Sequence, residues 1–229
     1  MRRPSFSGLS LALPLWGCAE DRAQLSIPVR VAASPSEVAP VEGVVVALSA
    51  ARLQLSHLRV EGPAATAQRR SAFEWAPSAH AHPGHDLSGA TVGELSGEWP
   101  IDLLAEDTPL GDLLAIEGST STARFALRPS PAALLEGRAL TPGGERAFSF
   151  ALSPDQDVDG LAFVHELSAK APPSGAVLRV DLAHALSFID WTTPDADGDG
   201  LLTVADGALA NTALFGLVAT PSYTLSLED

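Results

Sequence analysis

The sequence predicts a mainly β protein, an antiparallel β-sandwich with one or two short helices near the C-terminus. Short apolar runs bounded by Gly, Pro or Asp recur at intervals of roughly 8 to 15 residues, which is the spacing of strands joined by turns. Several of these runs alternate apolar and polar residues, as half-buried strands do. Helical spacing is confined to two late stretches, and no period of roughly 20 to 50 residues recurs, so a repeat array is not expected. Residues 24–229 read as one β-rich domain, long enough to bury a substantial core.

Taken in order, Leu25, Ile27 and Val29 alternate with Ser26, Pro28 and Arg30. Pro28 donates no backbone hydrogen bond and places that strand at an edge. Gly43 to Leu48 and Leu53 to Val60 repeat the strand pattern. From Glu61 to Gly97 the chain turns rich in Pro, Ala, Ser, Gly and His, with Phe73 and Trp75 as its main apolar bodies. This reads as a long excursion between strands at about 61–97, and loops of that length are functional or unstructured. Strand-like runs resume at Trp99–Leu104, Leu113–Ile116, Ala123–Leu127, Ala147–Leu152, Leu161–Leu167 and Val177–Leu182, and Ser222–Leu227 closes the chain. The helical stretches are Leu182 to Ile189, with Leu182, Leu186 and Ile189 on one face, and Val204 to Leu214, introduced by Thr203.

The amino terminus carries an address. Arg2 and Arg3 precede an uncharged run from Pro4 to Gly17 rich in Leu and Ala, the order of a secretory signal. The run is shorter than the roughly 20 apolar residues that span a bilayer as a helix. Leu15, Trp16, Gly17 and Cys18 then resemble the lipobox of bacterial lipoproteins, with Trp16 standing where a small residue is usual. The resemblance implies that residues 1–17 are a signal peptide, that Cys18 is diacylated and becomes the new terminus, and that residues 18–23 are a tether. The alternative is an ordinary signal peptide with an incidental thiol. Cys18 is the only cysteine, so disulfides are not available to this domain. Ala19 is not the Asp that resembles an inner-membrane retention signal, which favours the outer membrane, facing the periplasm or the cell surface.

The chain is acidic, with a net charge of −14. Loss of residues 1–17, which hold two arginines and no acid, takes the charge from −14 to −16. Nucleic acid and anionic lipid surfaces are therefore poor partners, because phosphate backbones need a basic face, and a metal cation is a better one. All basic residues except Lys170 are arginine, which reads as genomic composition.

The densest chemistry lies between the two helical stretches, where the chain runs Asp195, Ala196, Asp197, Gly198, Asp199, Gly200, Leu201, Leu202, Thr203, Val204, Ala205, Asp206. A hard cation takes about six to eight oxygens, and alternating Asp side chains on a curling backbone supply them. The segment resembles the calcium loops of EF-hands and dockerins. That resemblance implies Asp195, Asp197 and Asp199 as side-chain ligands, the Leu201 carbonyl, Thr203 directly or through water, and Asp206 as the closing acid, with Leu202 buried beneath. The closing acid is Asp where sensor loops use the longer Glu. A solvated Asp/Gly turn is the alternative, and a site of this kind is assigned to stability rather than regulation. A second segment, Asp155 to Gly160 with Glu166, matches the motif's letters, but strand-like residues follow Gly160 and carry Glu166 roughly 20 Å away. It is read as a polar hairpin loop.

Three of the six histidines stand close together, His80, His82 and His85, with Asp86 beside them. Imidazoles at this spacing suit copper or zinc, and a metal-free, solvent-exposed loop is the alternative. His57, His165 and His184 are isolated, and Trp75, Trp99 and Trp191 are read as core aromatics. An exported β-rich chain with scattered His and Trp and a late Asp/Gly loop weakly resembles the periplasmic copper-binding proteins of methanobactin operons, without that family's cysteine pattern. No serine elbow, zinc-protease helix motif, phosphate loop or dinucleotide fingerprint occurs, so no enzyme is expected. Three functions stay open: a tethered binding module with a structural calcium site, a copper or zinc carrier using His80, His82 and His85, and an adhesion or structural surface lipoprotein.

Overall fold

The computed structural model describes residues 23–63, 90–130, 133–195, 198–206 and 208–228. Cys18, the histidines at 80, 82 and 85, Trp75 and Asp197 lie outside them. Strands β1 (Gln24–Val31), β2 (Glu37–Val41), β3 (Val44–Glu61), β4 (Thr91–Asp102), β5 (Thr108–Ile116), β6 (Gly118–Ser119), β7 (Thr122–Leu127), β8 (Ala133–Thr141), β9 (Gly144–Leu152), β10 (Gln156–Ala162), β11 (Glu166–Leu167) and β12 (Gly175–Val180) come first. Helix α1 (Leu182–Leu186), strand β13 (Leu201–Thr203), helix α2 (Leu209–Val218), a 3₁₀ turn (Thr220–Ser222) and strand β14 (Tyr223–Glu228) follow. The protein is mainly β with its two short helices near the C-terminus, as the spacing of apolar runs predicts.

Twelve of the strands form one curled sheet, and β6 pairs with β11 apart from it. The organising element is β3, 18 residues long. One of its edges carries β8 along Val45–Arg52 and then β7 along Leu55–Glu61. The other carries β2 and then β4. The sheet therefore forks along β3, with β8, β9 and β13 on one branch and β7 and β10 on the other. On the far side β4, β5, β1, β12 and β14 follow in order. The curl brings the β14 end back to β10, where the Thr220 hydroxyl donates to the Asp159 carbonyl at 2.7 Å. Most ladders are antiparallel, while β1 with β12 and β13 with β9 are parallel. Parallel neighbours need long connections, and here both pairs join segments far apart in the chain.

Alternation explains which residues face the core. In β1 Leu25, Ile27, Val29 and Val31 are buried while Gln24, Ser26 and Pro28 are exposed. The interior is closed by rings: Phe148 and Phe150 of β9 pack with Trp191, and Phe125 of β7 meets Tyr223 of β14 edge to face at 4.8 Å. Trp99 packs against this core half-buried.

Several placements differ from the sequence expectation. Strand β1, put at an edge by Pro28, lies between β5 and β12, and its pairing with β12 begins only at Val29, past the proline. The two runs 43–48 and 53–60 are one strand, because Ala50 and Ala51 are small enough to be buried where a polar break is read. Residues 91–97, placed in the long excursion, belong to β4, which pairs with β3 and β5. The segment after Asp155 is not a hairpin loop: Gln156–Ala162 is a strand paired with β7, with Val158 and Leu161 buried. Gly160, at φ +75°, takes up the register shift there. The second helix begins at Leu209 rather than Val204, since the preceding residues form a turn.

Tyr223 is the chain's only tyrosine. Its buried hydroxyl donates to the Leu217 carbonyl at 2.6 Å, and burial raises its pKa well above the ordinary phenol value. A raised pKa adds stability that is complete below the unfolded value near 10 and is lost as pH rises toward the folded one. Alkaline titration is therefore expected to show no tyrosinate absorbance until the protein unfolds, and then a single cooperative step. Gradual ionisation with an ordinary midpoint in the folded protein would contradict this.

Candidate functional site

The acidic loop occupies the connection between α1 and α2, and both of its ends are fastened to β9. On the entry side, Trp191 is 3% exposed and packs its ring on Phe148 at 5.3 Å. Arg146 of β9 donates from Nη1 to the carbonyls of Trp191, at 3.1 Å, and Thr193, at 2.5 Å. On the exit side, Leu201–Thr203 forms the parallel edge strand β13 against Ala147–Ser149. Leu202 is buried, as the resemblance to calcium loops implies.

Between these anchors the backbone curls around one carboxylate. Asp195 Oδ1 accepts from the Gly198 amide at 2.9 Å, and Asp195 Oδ2 accepts from the Gly200 amide at 2.6 Å. Gly198 and Gly200 have φ of +75° and +83°. A Cβ there is disfavoured by the backbone itself, which is why glycine is needed at these two positions. Asp199 Oδ1 accepts from the Leu201 amide at 2.8 Å. The amide dipoles offset part of the repulsion among the acids, which near a protein surface is roughly 4 kcal/mol for a pair of charges at 4 Å.

Asp206 sits differently. It is 3% exposed, and its Oδ2 accepts from both the amide (2.7 Å) and the hydroxyl (3.2 Å) of Thr203. The Thr203 hydroxyl in turn accepts from the Ala205 amide at 3.2 Å. This reciprocal arrangement resembles a capping box and stops β13 before α2 begins. Asp206 thus has a turn-forming role that the ligand pattern does not reveal.

Comparison with protein-family models, curated proteins and solved structures finds no match to this chain. Asp195, Asp199, Leu201, Thr203 and Asp206 all fall on one short, curled, anchored segment. Their donors are all oxygens, the set a hard cation prefers. Among the described residues no three His, Cys, Asp or Glu side chains are gathered closely enough to hold a metal ion. A calcium site here needs the Asp197 carboxylate, which the described residues do not include.

The copper or zinc set of His80, His82 and His85 and the lipidation residue Cys18 also fall outside the described residues. The isolated histidines are separate in space: His165 lies against Phe163 at 4.6 Å, His184 against Phe188 at 5.3 Å, and His57 is exposed on β3. Among the described residues no helix is long and apolar enough to cross a membrane.

Proposed function

We propose that this protein is an exported lipoprotein, anchored through acylated Cys18, whose β domain is a non-enzymatic binding module stabilised by calcium at residues 195–206. The observation that carries the calcium reading is the Asp195 carboxylate. It is gripped by the Gly198 and Gly200 amides inside a loop whose two ends are fixed to β9. In this reading Asp195, Asp197 and Asp199 give side-chain oxygens, Leu201 gives its carbonyl, Thr203 acts directly or through water, and Asp206 closes the set. Because β13 is the last strand of its branch, an ion in the loop fixes a sheet edge and the entrance to α2 together. The role is structural.

Two measurements test the reading. Protein purified from its native host without chelator is expected to contain about one calcium per chain, and protein lacking bound calcium would reject the site. Cys18→Ser is expected to move the protein from the membrane fraction to the soluble exported fraction, because acyl chains contribute about 0.8 kcal/mol per buried methylene. An unmodified amino terminus in the wild-type protein, read by mass spectrometry, would reject the anchor.

A further inference from the structure

A second feature of the surface is independent of the acidic loop. On β3 and β7 the sheet places Arg59 directly opposite Arg124. Like charges in opposite register lie only about 5 Å apart at Cβ and destabilise a ladder. Just before Arg59 the ladders of β3 are irregular: its register with β7 shifts between Ser56 and Arg59, and with β4 between Ser56 and Leu58. His57, inside that interruption, has φ +49°, the left-handed region, and is the one non-glycine there among the described residues. Such backbone strain costs on the order of 1 to 3 kcal/mol and gathers at binding sites.

The bulge and the arginine pair open on a recess of about 150 Å³, walled by His57, Arg59, Arg124 and Arg128 and floored by Phe125 and Ala126. Asp157 is the one acid among the described residues that lines it. Each arginine is paired with an acid. Arg59 Nε and Nη2 meet Glu94 at 3.4 Å, Arg124 Nε meets Glu61 at 3.3 Å, and Arg128 Nη1 meets Asp155 at 3.0 Å while its Nη2 lies 4.0 Å from Asp157 within the recess. These bonds hold the guanidinium groups in place but use only part of the five N–H donors that each carries. Glu61 is the most buried of the tethering acids.

We propose that this recess binds a small phosphate-class oxyanion. Fixed guanidinium forks match two oxygens of a phosphate at once. The volume falls below the roughly 300 to 1,000 Å³ of sites for drug-sized ligands, so an ion or a terminal phosphate group fits and a large ligand does not. The overall charge of −14 repels nucleic acid and anionic membranes. A small dianion escapes that repulsion, because charges more than about 8 Å away are largely screened at physiological salt while the recess acts at contact.

Calorimetric titration of the full chain in calcium-free buffer with inorganic phosphate tests this. The expected result is saturable one-to-one binding with a dissociation constant of about 1 mM or tighter. Arg128→Gln is expected to weaken it about tenfold, and Arg124→Lys, which keeps charge and loses the fork, by a similar factor. Arg52→Gln, on β3 with Arg59 but outside the recess, leaves it unchanged. Arg128 is at the strand end and partly exposed, so its variant is expected to keep the wild-type melting curve and to report on binding alone. Methyl phosphate binding as tightly as phosphate assigns the site to a terminal ester phosphate, and inorganic phosphate alone assigns it to the free ion. Absence of saturation at roughly 10 mM phosphate, equal weakening by Arg52→Gln, or displacement by equimolar acetate overturns the proposal.

Discussion

Calcium at about one hundred times its dissociation constant is expected to raise the melting temperature of this protein by roughly 5 to 10 °C. A ligand that binds only the folded state at that excess adds about 2.7 kcal/mol. For a domain of this size each kcal/mol is worth roughly 2 to 4 °C. The unfolded chain offers the same carboxylates, but without the Gly198 and Gly200 turns and the β9 anchors they are not arranged around a common point. Asp195→Asn keeps an acceptor for the loop amides and removes a charge, so it is expected to abolish most of the calcium shift while changing the calcium-free melting curve little. Asp197→Ala is expected to abolish the shift as well. Magnesium, which demands closer, near-octahedral oxygens, is expected to give a much smaller shift. Identical melting curves in calcium and in chelator would defeat the calcium reading.

Gly216→Ala is expected to destabilise the protein by about 2 kcal/mol or more, with a fall in melting temperature of roughly 4 to 8 °C. The sign is what makes the experiment decisive. In an exposed helix interior alanine is better than glycine by about 0.8 to 1.0 kcal/mol, so helix propensity alone predicts a gain. Here Gly216 of α2 is buried against α1, and a Cβ would lie 1.9 Å from the Ala185 carbonyl oxygen and 2.9 Å from its carbon. Backbone atoms do not move aside as a flexible side chain does, so the helices must separate. The Phe188–Phe215 ring contact at 4.9 Å and the Ser222 hydroxyl bond to the Gly216 carbonyl at 2.8 Å would be disturbed with them. A melting temperature equal to or above wild type would show that the helix pair is not packed this closely. The same variant also tests the acidic loop, which hangs between α1 and α2, since loosening its supports is expected to weaken calcium binding.

The strand pattern was readable where one face of a strand is apolar and the other polar, as in Leu25–Val31. It failed where burial is two-sided or the residues are small. In β3 the small residues Ala50 and Ala51 are buried and carry the strand unbroken from the first run into the second, where Leu53–Ser56 is buried on both faces. Strand β8 runs unbroken through Gly137, where a Cβ would fall 2.1 Å from the Ala47 carbonyl oxygen, so a residue that weakens strand propensity is there to admit the neighbouring strand. Strand β10 carries Asp157 and Asp159 on its exposed face and looks like a polar loop until its pairing with β7 is known.

By itself the sequence determined the class of the fold, its late helices and the position of the acidic loop between them, since alternation and turn residues are local properties. Only the tertiary structure decided that β3 divides the sheet, that Asp206 closes a buried turn with Thr203, and that Arg59, Arg124 and Arg128 meet beside a strained His57. Those arginines lie up to about seventy positions apart and carry no shared motif. Register between strands, set by the burial of a common core, is what brings their charges together.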